Sequence, residues 1–522
     1  MDLLDLTEDA LKHVLNYVTV SGYFSLISVS QSSRKIVSKL VPEGFTPVQI
    51  LVDAVKYDNI DLYQWLVKFV GSDIEDKLCD EAAFYGSINI LKWAYENGYK
   101  CDEEVGYNAA GTGNLDILKW LKEISPVNKI SGKLQNLWDE TTFNTAASHG
   151  DIQILEWLKQ NKCPWDCWVY TGPAELGNFE VIKWLRNNGC PWSELTCLYA
   201  AKGGNLEMLK WLRENGCPWN ERTCVGAAEE GHIEILKWVH ENGCPWSEDT
   251  CDFAAKNGHL ETLKWLRDNG CPWSVKTCAA ATESDLETLE WLHENRCPWD
   301  ERTTANAAEN GMLEMLEWLK DNGCPMNETA CASAAKSGDV ETLEWLRENG
   351  CPWDETACAS AVLGQHLDTL YWLKTQGCPW NASTCTYAAM RDNFQILKWA
   401  RESGCPWDKN TFKEAAWRGN LDLLKCLKAS ECPWDAETFE YSVMSHKLEI
   451  LQWLHENGCP WDERACIRAA ECEELEMLKW LREQGCPWNE DVCQRARWNG
   501  NDEILQWALN NGCPDLDDDY YY

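Results

Sequence analysis

No apolar run of the length that spans a bilayer, about 18 residues, occurs in this chain, so a membrane partner is not expected. The first residues, Met1-Asp2-Leu3-Leu4-Asp5, have neither the basic start nor the apolar core of a secretory signal, which points to a cytoplasmic, thiol-reducing compartment. Positive charge is scarce: 47 Lys and Arg stand against 84 Asp and Glu, a formal net charge of −37. Such a surface repels phosphate backbones, so nucleic acid is not an expected partner despite 32 Trp. Cationic partners would be steered toward it, and the same charge keeps a Trp-rich chain in solution. Phosphate loops and nucleophiles with a positioned base are also missing, which argues against an enzyme and against any cofactor. Paired zinc ligands would need C-x2-4-C spacing, whereas the two cysteines of the repeated unit stand at C-x6-C, so no metal is expected.

What the chain does have is a 27-residue unit, clearest from Cys217 to Gly243: C-P-W-N-E-R-T-C-V-G-A-A-E-E-G-H-I-E-I-L-K-W-V-H-E-N-G. Followed by the Trp near its end, it recurs seventeen times from Trp65 to Trp507, with Cys426 in that slot once. After C-P-W comes Asp, Ser or Asn in the copies from Asp166 to Asn489, the side chains that accept from the first free N–H groups of a helix. Asn220 is therefore a cap, and Trp219 and Cys224 fall where a hydrophobic staple would join them. Cys224, Ala227 and Ala228 form a narrow face of small residues on the first helix, which Gly231 ends. A second helix opens at His232 with Ile233, Leu236 and Val239 on one stripe and Ile235 and Trp238 beside it, and Asn242-Gly243 stops it before Pro245. One such hairpin is too small to bury both apolar faces, so the expected fold is all-α: a right-handed solenoid of stacked helix-turn-helix repeats that share their stability.

The pattern T-C-x-x-A-A-x-x-G-H-L-E-x-L-K-W-L-x-x-N-G, as in Thr250 to Gly270, resembles the ankyrin repeat in its T-P-L-H-x-A-A-x-x-G-H core and helix-terminal N-G. It is similar to the short ankyrin-type repeats of large DNA viruses and unicellular algae, with C-P-W-D in place of the β-hairpin finger. The resemblance covers nearly the whole chain after residue 48. It implies protein–protein recognition, no catalysis and, for a viral chain, the host cytoplasm.

Residues 1–45 do not follow the repeat. Two amphipathic helices are expected there, and the segment resembles the F-box: Leu6, Leu11, Val14, Leu15, Tyr17, Val18, Leu26, Val29 and Arg34 match its pattern, while Thr7, Gly22, Ser30 and Ser33 depart from it. The resemblance implies docking of Leu6, Leu11, Val14, Leu15, Tyr17, Leu26 and Val29 on the small adaptor subunit of a cullin-RING ubiquitin ligase. A plain helical cap on the first repeat fits the same residues. The expected organisation is an F-box-like segment at 1–45, an ankyrin-like array at 48–513 with an inserted loop at 125–137, and an acidic, tyrosine-rich tail at 514–522. Gly172-Pro173 replaces Ala and should break its helix, and one residue is deleted before Cys297.

Of the 28 Cys, fourteen precede Pro and most others take the Cys224-like slot. Equivalent cysteines of successive layers should stand about 10 Å apart, beyond the ~4.4–6.8 Å Cα spacing of a disulfide, so buried free thiols are expected. Comparison among the units separates framework slots from variable ones. The two residues before Ala-Ala vary most, as Leu198-Tyr199, Val225-Gly226, Asp252-Phe253, Thr386-Tyr387, Lys413-Glu414, Glu440-Tyr441 and Ile467-Arg468. Tyr199, Phe253, Tyr387 and Tyr441 are thereby the candidate contacts for a protein target on the solenoid face, unless they cover neighbouring units instead. His232, His259 and His366 read as parts of the second helix's cap. The expected role is a scaffold that recruits a target to a ubiquitin ligase, or an interaction protein with no ubiquitin role.

Overall fold

The structure, a computed structural model, describes residues 47–61, 63–64, 77–99, 101, 103–124 and 139–514. The F-box-like residues Leu6, Leu11, Val14, Leu15, Tyr17, Leu26 and Val29, the insertion at 125–137 and residues 515–522 of the tail lie outside the described residues. Among the described residues all regular elements are helices and none is a strand.

Local chemistry sets each repeat. Asn220 is extended, and its side-chain oxygen accepts the Arg222 N–H at 3.1 Å, starting the helix Glu221–Glu229. Gly231 turns the chain in the left-handed region, φ +71°. His232 then precedes the second helix, Ile233–Glu241. At its end the Asn242 side-chain amide donates to the Trp238 carbonyl at 2.8 Å, closing one of the carbonyls a helix end leaves open. The buried set is Thr223, Cys224, Gly226, Ala227 and Ala228 on the first helix and Ile235, Leu236 and Val239 on the second. Ile235, rather than Ile233, joins Leu236 and Val239, because the second helix turns its apolar face into the wedge between its own first helix and the next repeat.

The chain divides into two compact units, Met1–Ala254 with His259–Pro272, and Ala255–Gly258 with Trp273–Tyr522. In the first unit the hairpins follow one another as Leu78–Phe84 with Ile88–Glu96, Glu140–His149 with Ile152–Gln160 and Glu194–Lys202 with Leu206–Glu214, among others. In the second, Glu301–Glu309 with Leu313–Asp321 is followed by Glu328–Ser337 with Val340–Glu348 and by Glu355–Leu363 with Leu367–Thr375, and the pattern continues to Asp502–Asn510. Within each unit successive first helices lie directly on each other, and successive second helices stand further apart. The cause is side-chain size: Thr, Cys and Ala let backbones approach, while Leu and Trp hold the second helices off.

The C-P-W turn closes the repeat before it. Every cysteine that precedes a proline, from Cys163 to Cys513, donates its thiol to the carbonyl of the preceding cap residue, as Cys244 Sγ does to Asn220 at 3.3 Å. Trp219 and Cys224, the expected staple residues, also reach further along the chain. Trp219 packs on Trp238 with ring centres 5.8 Å apart, and the Cys244 thiol, at the start of the next repeat, raises Cys224 above the ordinary thiol range. Where the Cys224-like slot is aromatic, the same reach appears as a ring contact: Phe143 on Trp165 at 5.0 Å and Phe439 on Trp461 at 5.1 Å.

Two copies are irregular, and the first breaks where Gly172-Pro173 implies. Around Gly172-Pro173 the first helix splits into a 3-10 turn, Cys167–Tyr170, and a short helix, Thr171–Glu175. The deletion before Cys297 removes the left-handed glycine of the inter-helix turn. The helix Val275–Ala281 ends early there, and Asp285, extended at φ −142°, caps Leu286–Glu294 by accepting from Thr288 N–H.

Two glycines of the second unit provide a test. Gly350 (φ +79°) has nothing near an added Cβ, whereas at Gly338 (φ +85°) a Cβ would fall 2.5 Å from the His366 ring. Gly350→Ala should cost about 1 kcal/mol from backbone strain alone, and Gly338→Ala clearly more, as read by urea denaturation.

Candidate functional site

The side of each unit formed by first helices is the shorter one, and the variable pair before Ala-Ala lies along it. The two residues of that pair face opposite neighbours. A Cβ at Gly226 would fall 2.6 Å from Leu198 Cδ1 of the previous repeat. One period apart, Lys413 Nζ lies 4.9 Å from the centre of the Tyr441 ring, and Glu440 accepts from Arg468 at 2.6 Å. The first residue of each pair thus meets the second residue of the next, making a seam across the face.

The sequence candidates fall at different depths in this seam. In the first unit Phe253 is 36% exposed and Tyr199 is half-buried. In the second, Tyr387 and Tyr441 are both half-buried. Tyr441 has a cation on either side, Lys413 from the preceding repeat and the Arg468 guanidinium 5.9 Å away from the following one.

Sequence inspection did not pick out the charged network around Tyr441. Lys409 pairs with Asp435 at 2.7 Å and Lys413 with Glu437 at 3.8 Å. Glu440, 8% exposed, holds Arg468 at 2.6 Å and Arg464 at 3.6 Å. Glu471 then links Arg468 at 2.6 Å to Arg495 at 3.0 Å. The Arg464 guanidinium hydrogen-bonded to Asp462 holds that carboxyl below the usual carboxylate range. The available signal was a change of sign at the repeat period, Lys413 then Glu440 and Glu440 then Arg468, legible once the seam geometry is known.

The Trp side chains have a different task. Arg213 stacks over Trp219 at 4.0 Å, and Trp219 meets Trp238 edge-on. Arg347 does the same over Trp353 at 4.1 Å, and Trp353 meets Trp372 at 6.2 Å. His240 takes the place of the arginine against Trp246, ring centres 3.9 Å apart. These half-buried rings join one repeat's second helix to the next through cation–π and edge-to-face contacts. The ladder is interrupted where Met326 and Cys426 replace Trp.

The histidines in the cap region also bridge repeats. His232 Nε2 and His259 Nε2 each lie 3.0 Å from a first-helix carbonyl of the previous repeat, Lys202 and Glu229, and the His366 ring lies against Gly338. None of the 28 cysteines is in a disulfide. Burial pushes the thiols of Cys163, Cys432 and Cys459 up to about 12, with nearby Asp side chains adding to the effect, which leaves little thiolate for nucleophilic work. One C-x3-C spacing does occur, at Cys163 and Cys167. Among the described residues no three His, Cys, Asp or Glu side chains converge as metal ligands, and no helix is long and apolar enough to cross a membrane.

No family profile matches the chain, and no curated protein does. Among solved structures it is similar to the maize pentatricopeptide repeat protein PPR10, at 12% identity over 97% of this chain and 98% of that one, with a TM-score of 0.27. PPR10 in complex with an 18-nt psaJ RNA element matches at 11% identity over 98% and 93%, with a TM-score of 0.30. The ankyrin repeat domain of human ASB11 matches at 19% identity over 30% of this chain and 84% of its own, with a TM-score of 0.25. At such scores the likeness carries no argument about this chain.

Glu440 is the buried carboxylate shared by Arg464 and Arg468, and its loss leaves each guanidinium with one carboxylate of two, Asp462 and Glu471. Glu440→Ala should destabilise the chain by about 2 kcal/mol and Glu440→Gln by less, measured as shifts in the urea denaturation midpoint.

Proposed function

We propose that this chain is a non-catalytic protein-recognition scaffold whose first-helix face engages a target protein. The reading continues with residues 1–45 tying the array to the small adaptor subunit of a cullin-RING ubiquitin ligase in the cytoplasm. One observation carries target recognition: the slots that differ most between repeats share one side of each stack, while caps, small residues and Trp repeat as framework. A surface whose variation is confined to one face is suited to telling partners apart. Tyr199, Phe253, Tyr387 and Tyr441 are the proposed anchors on it, because rigid aromatic side chains bind at low entropic cost. The net charge favours a target with a cationic surface. Support for the ligase half comes from the run Leu6, Leu11, Val14, Leu15, Tyr17, Leu26 and Val29, placed ahead of a recognition array as an adaptor requires.

A second reading keeps target recognition and gives residues 1–45 only the role of a cap. It is favoured by Thr7, Gly22, Ser30 and Ser33, which stand where the F-box pattern has Pro, Asp, Cys and Trp.

Affinity capture from cells with the full chain and with residues 1–45 deleted separates the two. The adaptor reading expects cullin-RING components with the full chain, their loss on deletion, and an unchanged set of array partners. Their absence from the full-chain capture defeats it. For a target so identified, Phe253→Ala and Tyr199→Ala should each weaken binding about tenfold or more while leaving the thermal midpoint unchanged. Binding insensitive to all four aromatic positions would place the target elsewhere.

A further inference from the structure

The cysteines that repeat along the chain meet in pairs that their sequence spacing hides. The two cysteines of one C-x6-C unit are not partners. Instead the first-helix cysteine touches the C-P-W cysteine that follows the second helix. In the first unit the two slots are filled by Cys197 and Cys217, Cys224 and Cys244, and Cys251 and Cys271, and in each pair the second thiol raises the first-helix cysteine above the ordinary thiol range. The second unit repeats the pairing in three consecutive hairpins that begin with Cys331 and Cys351, and again in its last two. Near the start of the array the turn reads Tyr99-Lys100-Cys101-Asp102, and Cys101, in the Trp slot of that turn, meets Cys79 with sulfurs 3.1 Å apart, about 1 Å beyond a disulfide bond. In other repeats the first-helix slot holds Tyr170, Thr304 or Phe412, and Thr304 Oγ1 donates to Cys324 Sγ at 3.4 Å in the thiol's place.

We propose that these pairs form a redox latch: exposed to a small-molecule disulfide, a paired repeat closes an internal disulfide between its first helix and the turn after its second, while repeats without a first-helix cysteine stay unlatched. Both helices of one hairpin are then tied by a covalent bond, and no bond crosses between first helices. The chemistry balances as two exchanges. One protein thiolate attacks the small disulfide, forming a mixed disulfide and releasing one small thiol. The paired cysteine then attacks the protein sulfur of that mixed disulfide and expels the second small thiol. Two protein thiols are oxidised by two electrons, and one small disulfide is reduced by two.

Access sets when this happens. Cys101 apart, the paired cysteines are fully or almost fully buried, and the neighbouring thiol together with burial raises Cys224 and Cys251 above the ordinary thiol range. A closed repeat therefore offers neither thiolate nor approach, and oxidation waits on local opening. Once formed, the bond closes a short loop and opposes the next opening. It also removes the thiol proton that the C-P-W cysteine gives to the cap carbonyl, so the covalent link replaces a weak hydrogen bond.

The reduced full chain, incubated with excess oxidised glutathione, is trapped with an alkylating reagent and mapped by proteolysis and mass spectrometry. Expected are peptides joining Cys224 to Cys244 and the equivalent pairs, each lighter by two hydrogens, and a higher melting temperature than the reduced chain. Thr304→Cys should bring Cys324 into the cross-linked set, and Thr304→Ser should not. The proposal is overturned by thiols that remain free, by single glutathione adducts at paired positions, by bridges between equivalent cysteines of neighbouring repeats, or by an oxidised chain that melts below the reduced one.

Discussion

Close approach between successive first helices is the constraint on which both units depend. It requires Thr, Cys and Ala at the contact, and those residues bury too little apolar area to hold a hairpin by themselves. The second helix supplies the missing area through Leu and Trp, but only by covering the next repeat as well as its own. Small residues on one side and large ones on the other then make the two sides of the stack unequal in length. The side with the shorter path between repeats is the one on which variable side chains gather.

The C-P-W turn shows how one short segment can satisfy several demands. Its cysteine satisfies a cap carbonyl of the previous repeat, its proline stops the preceding helix, and its Trp is held between a basic residue and the Trp of the following helix. A repeat is therefore complete only when the turn of its successor is in place. This is nearest-neighbour coupling with identified contacts, and it accounts for the persistence of the turn along the array more directly than helix propensity does.

The aromatic residues divide into two groups. Trp at the two framework slots joins repeats and is engaged by cations and other rings. Tyr and Phe at the variable slots stand on the first-helix side, where Tyr441 is flanked by cations from two repeats and Phe253 is the more open. Abundant Trp in this chain is therefore a property of its framework. Histidine follows the same division, since His232 and His259 bond carbonyls of the previous repeat.

Much of this was legible in the linear chain because it is local. Asn220 as a cap, Gly231 and Gly243 as stops and the broken helix at Gly172-Pro173 each follow from residues within about one turn of each other. The 27-residue period announced the stacking. The sequence therefore determined the helices, their ends and the need of each hairpin for neighbours. Only the tertiary structure decided that Cys224 faces Cys244, that Ile235 rather than Ile233 enters the core, and that Lys413, Tyr441 and Arg468 share one seam. Those contacts join segments about one repeat apart, and the angle at which one hairpin rests on the next, set by packing across the whole interface, leaves no mark in local residue order.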